Sequence, residues 1–181
     1  MKVVSVNIGK KTMIQMKDKI IETGIVKKPV MGYIFLDYEN VKGDTVSDRV
    51  HHGGFDKAVY AYSQKHYGFW GKNYDIVNEN YGLFGENITF DDLDETSVFI
   101  GNTYQCGEVI IEVTEPRQPC YKLGLIFNSQ TIVKDFWNST KSGVYFKVIQ
   151  RGEVKVGDEF VLIKEEVNNP TIAEVYESKK K

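Results

Sequence analysis

The chain has 181 residues, 23 Lys and Arg against 25 Asp and Glu, and a net charge of −2. That length holds one domain with a full core, or a domain with a small appendage. The charge balance excludes a grip on nucleic acid through a clustered basic face, and the lack of any apolar run near 20 residues excludes a membrane-spanning helix. The first residues enter a strand-like alternation with no leader-like apolar stretch, so the expected compartment is the cytoplasm. Cys106 and Cys120 fit that compartment as free thiols, and no paired Cys or His spacing suggests zinc.

Residues 2–8 alternate, with Val4, Val6 and Ile8 on one face and Val3, Ser5 and Asn7 on the other, the pattern of a half-buried strand. Asn7, just before Gly9, reads as a turn residue. Lys11 to Ile21 reads as a hairpin, and Thr23 to Pro29 and Gly32 to Leu36 as extended pieces. The polar stretch 43–50 leads to a buried strand from Ala58 to Tyr62. Ser63 then caps a helix through His66, Tyr67, Phe69 and Trp70, with His66 in a surface or packing role. Thr96 to Ile100, Thr103 to Cys106 and Glu108 to Thr114 read as consecutive strands, the last stopped by Pro116 and Pro119. Ser129 is the expected cap of a helix whose Ile132, Val133, Phe136 and Trp137 form one stripe. Val144 to Ile149, Val154 to Val156 and Glu159 to Lys164 are the remaining strands, and Pro170 opens a short helix ending in a frayed lysine run. Many short strands without βαβ alternation predict a mainly β (α+β) fold, barrel-like with a few peripheral helices.

Three stretches carry chemistry. In Glu115-Pro116-Arg117-Gln118-Pro119-Cys120, the prolines stiffen a segment that holds a guanidinium three residues from a thiol. Arg117 is a permanently charged planar donor, and Cys120 is a ligand suited to a soft metal. In the second stretch, His52, Asp56 and Lys57 surround Gly53-Gly54, which permits close backbone approach to a ligand. In the third, Glu86 and Asn87 follow Gly85 and can hydrogen-bond a heterocycle edge. Each stretch taken alone also reads as a rigid or glycine-rich turn.

In order, His52-Gly53-Gly54-Phe55-Asp56-Lys57-Ala58-Val59, Gly85-Glu86-Asn87-Ile88-Thr89 and Pro116-Arg117-Gln118-Pro119-Cys120 resemble the MOSC domain family. The nearer likeness is to its small stand-alone bacterial branch, the hydroxylaminopurine-resistance (YiiM-like) proteins, and it spans about residues 2–164. His51 stands where that branch usually has an apolar residue, and Asn102 where Asp is frequent. The resemblance implies a MOSC-type barrel over residues 1–165 and a short helical tail over 166–181. It also implies a molybdenum cofactor (molybdopterin), with Cys120 as the protein's ligand to the metal, and the family is further associated with pyridoxal phosphate binding. Arg117 and Lys57 would hold the anionic part of the pterin. Gly53, Gly54 and Asp56 would shape the loop that closes on it, and Glu86 and Asn87 would bond the pterin or fix their own loop. His52 would donate a hydrogen bond near the metal or orient the cysteine segment, so His52, Arg117 and Cys120 are the expected catalytic set. The implied activity is reductive removal of oxygen from N-hydroxylated small molecules such as hydroxylaminopurine bases. The chain has no clustered cysteines for an iron–sulfur centre and no Gly-x-Gly-x-x-Gly fingerprint, so a separate reductase would supply electrons. No nucleic acid or membrane partner is expected, and a homodimer is compatible with the pattern. A cofactor carrier without catalysis and a sulfur carrier with a persulfide on Cys120 are the alternatives.

Overall fold

A computed structural model describes residues 1–16, 19–45, 53–76 and 80–180. The chain starts with β1 (Val3–Gly9), β2 (Thr12–Met16), β3 (Lys19–Thr23), β4 (Lys27–Pro29) and β5 (Tyr33–Leu36). A 3-10 turn at Phe55–Lys57 leads into β6 (Val59–Ser63) and α1 (Gln64–Trp70). Next come β7 (Ile88–Phe90), β8 (Thr103–Cys106), β9 (Val109–Pro116), α2 (Tyr121–Ile126) and α3 (Thr131–Asn138). β10 (Val144–Gln150), β11 (Gly152–Lys155), β12 (Val161–Lys164) and α4 (Ile172–Ser178) complete the order.

Eight strands form one sheet in the order β12-β8-β9-β10-β6-β7-β1-β4, while β5–β11 and β2–β3 make separate ribbons. The β6–β7 pair is parallel, and the other ladders are antiparallel. The fold is mainly β, but the expected barrel is an open sheet with β12 and β4 at its edges. The approach to closure is local: Val3 N–H donates to Asp158 O at 2.8 Å and Phe160 N–H to Met1 O at 2.8 Å. Beyond Phe160, β12 diverges from β1 as a ladder with β8 alone.

Strand parity divides the core in two. In β6, Val59 and Ala61 join a cluster with Val6, Leu36, Ile88, Phe90, Ile111, Phe146 and Ile172. The alternate residues Tyr60 and Tyr62 join Trp70, Phe84, Leu123, Ile132 and Phe136 in an aromatic cluster on the other face. β10 repeats the split, with Val144, Phe146 and Val148 in the first cluster and Tyr145 in the second. A two-residue repeat sends neighbours to opposite faces, so a strand buried on both faces feeds both cores.

Several expectations need correction. Thr96 to Ile100 is a turn region, because the Asp94 carboxylate accepts from Thr96 N–H at 2.9 Å and Thr96 O–H at 2.7 Å, a local alternative to a ladder. The prolines do not stop β9, since Pro116 forms its last rung opposite Val144. A proline there removes one donor at the end of the ladder and leaves the earlier rungs intact. A helix that the sequence reading did not include, α2, follows Cys120, and Gln130, not Ser129, is the residue flanking α3. The Gln130 side chain folds over Gly124, with Nε2 2.3 Å from where a Cβ would sit, so a larger residue there would turn Gln130 aside. Asn7 is a buried core residue, accepting from Ser5 O–H at 2.7 Å and donating to Thr89 Oγ1 at 3.2 Å. The lysine run is anchored as far as Lys180, whose Nζ donates to Ser139 O at 3.1 Å. α4 buries Ile172, Ala173 and Tyr176, and Tyr176 O–H donates to Phe136 O at 3.0 Å.

Candidate functional site

A pocket of about 630 Å³, counted with the solvent at its mouth, gathers residues distant in the chain. One wall is Thr23, Gly24, Ile25 and Lys27, between the end of β3 and the start of β4. A second is Glu39, Asn40, Asp44 and Thr45. Lys57, Ala58 and Tyr60 line it from the start of β6, with Gly85 and Asn87 ahead of β7. Arg117, Cys120 and Lys122 arrive from the end of β9 and α2, and Tyr145 from β10.

The first two walls close on each other at Gly24, where an added Cβ would lie 1.8 Å from Thr45 O, so any side chain there would separate them. Asp44 locks the same joint. Its Oδ1 accepts from Gly9 N–H at 2.7 Å, and its Oδ2 accepts from Asn87 Nδ2 at 2.9 Å and from Lys27 Nζ. Both charged side chains of the Lys27–Asp44 pair are buried. Burial holds the Lys27 ammonium below the ordinary lysine range, while Asp44 pulls it back up. Asn87 joins the edges of this wall through its backbone, donating from N–H to Tyr60 O at 2.7 Å and accepting from Asn7 N–H at 2.7 Å.

Arg117 is 4% exposed, and its Nε and Nη1 have no hydrogen-bond partner within the described residues. Its guanidinium lies over Tyr60, with Cζ 4.9 Å from the ring centroid. Burial works against its charge, but Tyr60, Tyr145 and Cys120 outweigh burial and hold its pKa above the ordinary arginine value. A buried guanidinium with unmet donors is an anion receptor, because leaving such donors unpaired is costly. Lys57 Nζ sits 3.4 Å from Glu115 Oε1 and 5.8 Å from the Tyr145 ring centroid. The Tyr60 and Tyr145 rings are 5.0 Å apart, so the two cations rest on one aromatic floor. Burial, with smaller contributions from Cys120 and Glu115 and against the pull of Arg117, pushes Tyr145 up to about 12. The Tyr145 hydroxyl therefore keeps its proton at neutral pH. Cys120 is a free, half-buried thiol in extended backbone, immediately ahead of α2.

Of the residues singled out in the sequence, the fold brings Lys57, Asn87, Arg117 and Cys120 to this pocket. Gly53, Gly54, Asp56 and Glu86 are not among its lining residues. Asp56 is exposed, and the Gly54 carbonyl accepts from Lys57 N–H at 3.0 Å, closing the turn that presents Lys57. Glu86 faces the interior, where its Oε1 accepts from Tyr67 O–H, from Gly82 N–H at 2.8 Å and from Thr89 O–H at 3.0 Å. Its Oε2 is buried without a partner, and burial raises its pKa. His52 lies outside the described residues. Sequence reasoning missed Lys27, Asp44, Tyr60, Lys122 and Tyr145 as pocket residues. The available signal was strand parity, which buries Lys27 and exposes Lys28, but it became usable only with the strand's neighbours known.

Among the described residues no group of three or more His, Cys, Asp or Glu is placed to hold a metal ion. The pocket instead offers one soft thiol and an anion receptor. That donor set is chemically compatible with a metal carried on an anionic organic group, since a thiol can ligate a soft metal and a guanidinium can bind an anion.

Bacillus subtilis YflK is 38% identical over 161 residues, covering 89% of this chain and 72% of its own. The solved structure of YiiM from Geobacillus stearothermophilus is 30% identical with a TM-score of 0.80, covering 98% of this chain and 83% of that one. A protein of Gibberella moniliformis named a reductase is 31% identical over 146 residues, 79% of this chain but 26% of its own length. The MOSC domain profile matches residues 48–161, which span the segment from before the 3-10 turn to the start of β12. On its sequence, its sheet and the cysteine–arginine pocket at their junction, the chain belongs to the MOSC domain family.

Proposed function

We propose that the pocket binds a molybdenum cofactor and that the protein is a reductase of N-hydroxylated small molecules. The observation that carries this reading is the half-buried Cys120 thiol beside Arg117, a buried guanidinium with unmet donors. The relative named a reductase and the MOSC family's association with this cofactor support it. When bound, the cofactor supplies the two-electron redox chemistry. Cys120 is the thiolate ligand to its metal, while Arg117, Lys57 and Lys122 hold its anionic part. Tyr60 and Tyr145 support the two cations and help exclude water from them. Gly53, Gly54 and Asp56 act at one remove, by fixing the turn behind Lys57. Glu86 and Asn87 hold the segment between the pocket and β7. The role given to His52 is a hydrogen bond near the metal or the orienting of the cysteine segment. A separate protein delivers electrons.

The test is metal content. The wild type and Cys120→Ser, expressed in a host that makes the cofactor and purified without oxygen, are assayed for molybdenum and pterin per chain. The expected result is near-stoichiometric molybdenum in the wild type, lost in the variant. Absence of molybdenum from both would leave the reductase without its metal and favour sulfur carriage on Cys120. Cofactor binding without oxidation by any N-hydroxylated substrate would favour a carrier.

A further inference from the structure

Lys57 belongs to a row of three charges that leads out of the pocket. Its Nζ lies 3.4 Å from Glu115 Oε1, and Lys179 Nζ lies 3.4 Å from Glu115 Oε2. Of the three, only Lys57 lines the pocket. All are partly covered, with side-chain exposures of 24% for Lys57, 31% for Glu115 and 28% for Lys179. The fold holds each of them in place. Thr114 O–H donates to Asp56 O at 2.6 Å and to Tyr145 O at 2.9 Å, which ties the turn carrying Lys57 to β9 and β10. Glu115 stands opposite Tyr145 in the β9–β10 ladder, so it shares a face with the ring that Lys57 overlies. Lys179 directly follows α4, which is fixed by Ile172 in the main core and by Tyr176 O–H on Phe136 O at 3.0 Å.

A carboxylate has two oxygens and a single charge. Engaged by Lys57 alone, Glu115 would cancel the cation that the turn brings to the pocket. Shared with Lys179, the group of three keeps one net positive charge beside the pocket. We infer that Lys179 is a positioning residue for the pocket, drawing on Glu115 from outside so that Lys57 stays effective toward an anion bound beside Arg117. The inference rests on the reading of the pocket as the seat of an anionic group. It gives α4 a part in ligand affinity without contact with the ligand. Ion pairs between partly exposed groups are modest in strength, so the expected changes are about threefold.

The test is calorimetry of inorganic phosphate binding to the full chain at low salt, where these pairs are least screened. Lys179→Gln is expected to weaken binding about threefold, and Lys179→Arg to restore it. Glu115→Gln is expected to tighten binding about threefold, because that carboxylate no longer opposes Lys57. Added to Glu115→Gln, Lys179→Gln should change nothing further, which is the signature of action through Glu115. A Lys179 acting only by its own distant charge would weaken phosphate equally in both backgrounds and overturn the inference. So would unchanged affinity in Lys179→Gln. Weaker binding in Glu115→Gln would also overturn it, by making the carboxylate an anchor that Lys57 needs. Arg117→Ala separates this inference from the reading beneath it. Absence of phosphate binding to the wild type, or binding that Arg117→Ala leaves unchanged, would defeat the pocket as an anion receptor and the inference with it. Binding lost in Arg117→Ala, with neither the Lys179 nor the Glu115 effect, would overturn the inference alone.

Discussion

Among the described residues, Glu86 and Arg117 are the buried ionisable side chains with unmet polar atoms, and they call for different tests. Glu86 accepts from Tyr67, Gly82 and Thr89 through one oxygen and leaves the other alone. Glu86→Gln keeps the accepting oxygen and removes the titration. Because burial raises the Glu86 pKa, the folded protein holds a proton that the unfolded chain releases. Stability contributed by this group is therefore greatest at low pH and falls as pH rises from the ordinary glutamate range through the folded value. Urea unfolding across that window should show a stability difference, Glu86→Gln minus wild type, that grows with pH. Glu86→Ala should lose about 3 kcal/mol by leaving its donors unpaired. Arg117→Lys tests the other group. An ammonium cannot reproduce a planar fork stacked on Tyr60, so pterin retention after dialysis should drop by about tenfold or more despite the conserved charge. Retention equal to wild type would remove Arg117 from the cofactor site.

At the scale of elements, Asp44 ties together the end of β1 at Gly9, the start of β4 at Lys27 and the lead into β7 at Asn87. Asp44→Ala leaves a buried ammonium without its partner, and thermal unfolding should report a loss of about 3–5 kcal/mol. Lys27→Met combined with Asp44→Leu should recover most of that loss. A double variant as unstable as the single would show that the charges themselves are required. This joint also marks how far the sequence could be read. Alternation located β1, β6, β9 and β10 within a residue or two, because a two-residue period is local. Cys120, Arg117 and Lys57 were found because prolines and glycines flagged their segments. Asp44 and Lys27 were not, since nothing near either residue encodes a partner 17 positions away. Tyr60 and Tyr145 read as ordinary strand aromatics, and only the β6–β10 register sets them side by side, Tyr60 under Arg117 and Tyr145 under Lys57. α2 was missed because it is only six residues long and Gly124 lowers its helix propensity.

Over the whole molecule, α4 is part of the fold rather than an addition to it. Ile172 enters the main core, and Thr171 and Glu174 form a reciprocal capping box. Thr171→Ala should cost about 1 kcal/mol, read as a lowered urea midpoint with an unchanged slope. Lys179 lies 3.4 Å from Glu115 Oε2, whose other oxygen faces Lys57, so α4 is linked to the pocket wall through one carboxylate. The contact between residues 1–3 and 157–160 has a further bearing on the timing of synthesis. Met1 and Phe160 are 159 positions apart, and contacts so distant in sequence form late and slowly. The nascent chain displays Cys120 well before the first strand acquires its last neighbours. The residues that line the pocket run from Thr23 to Tyr145, so all of them have been made before the segment that closes this contact exists.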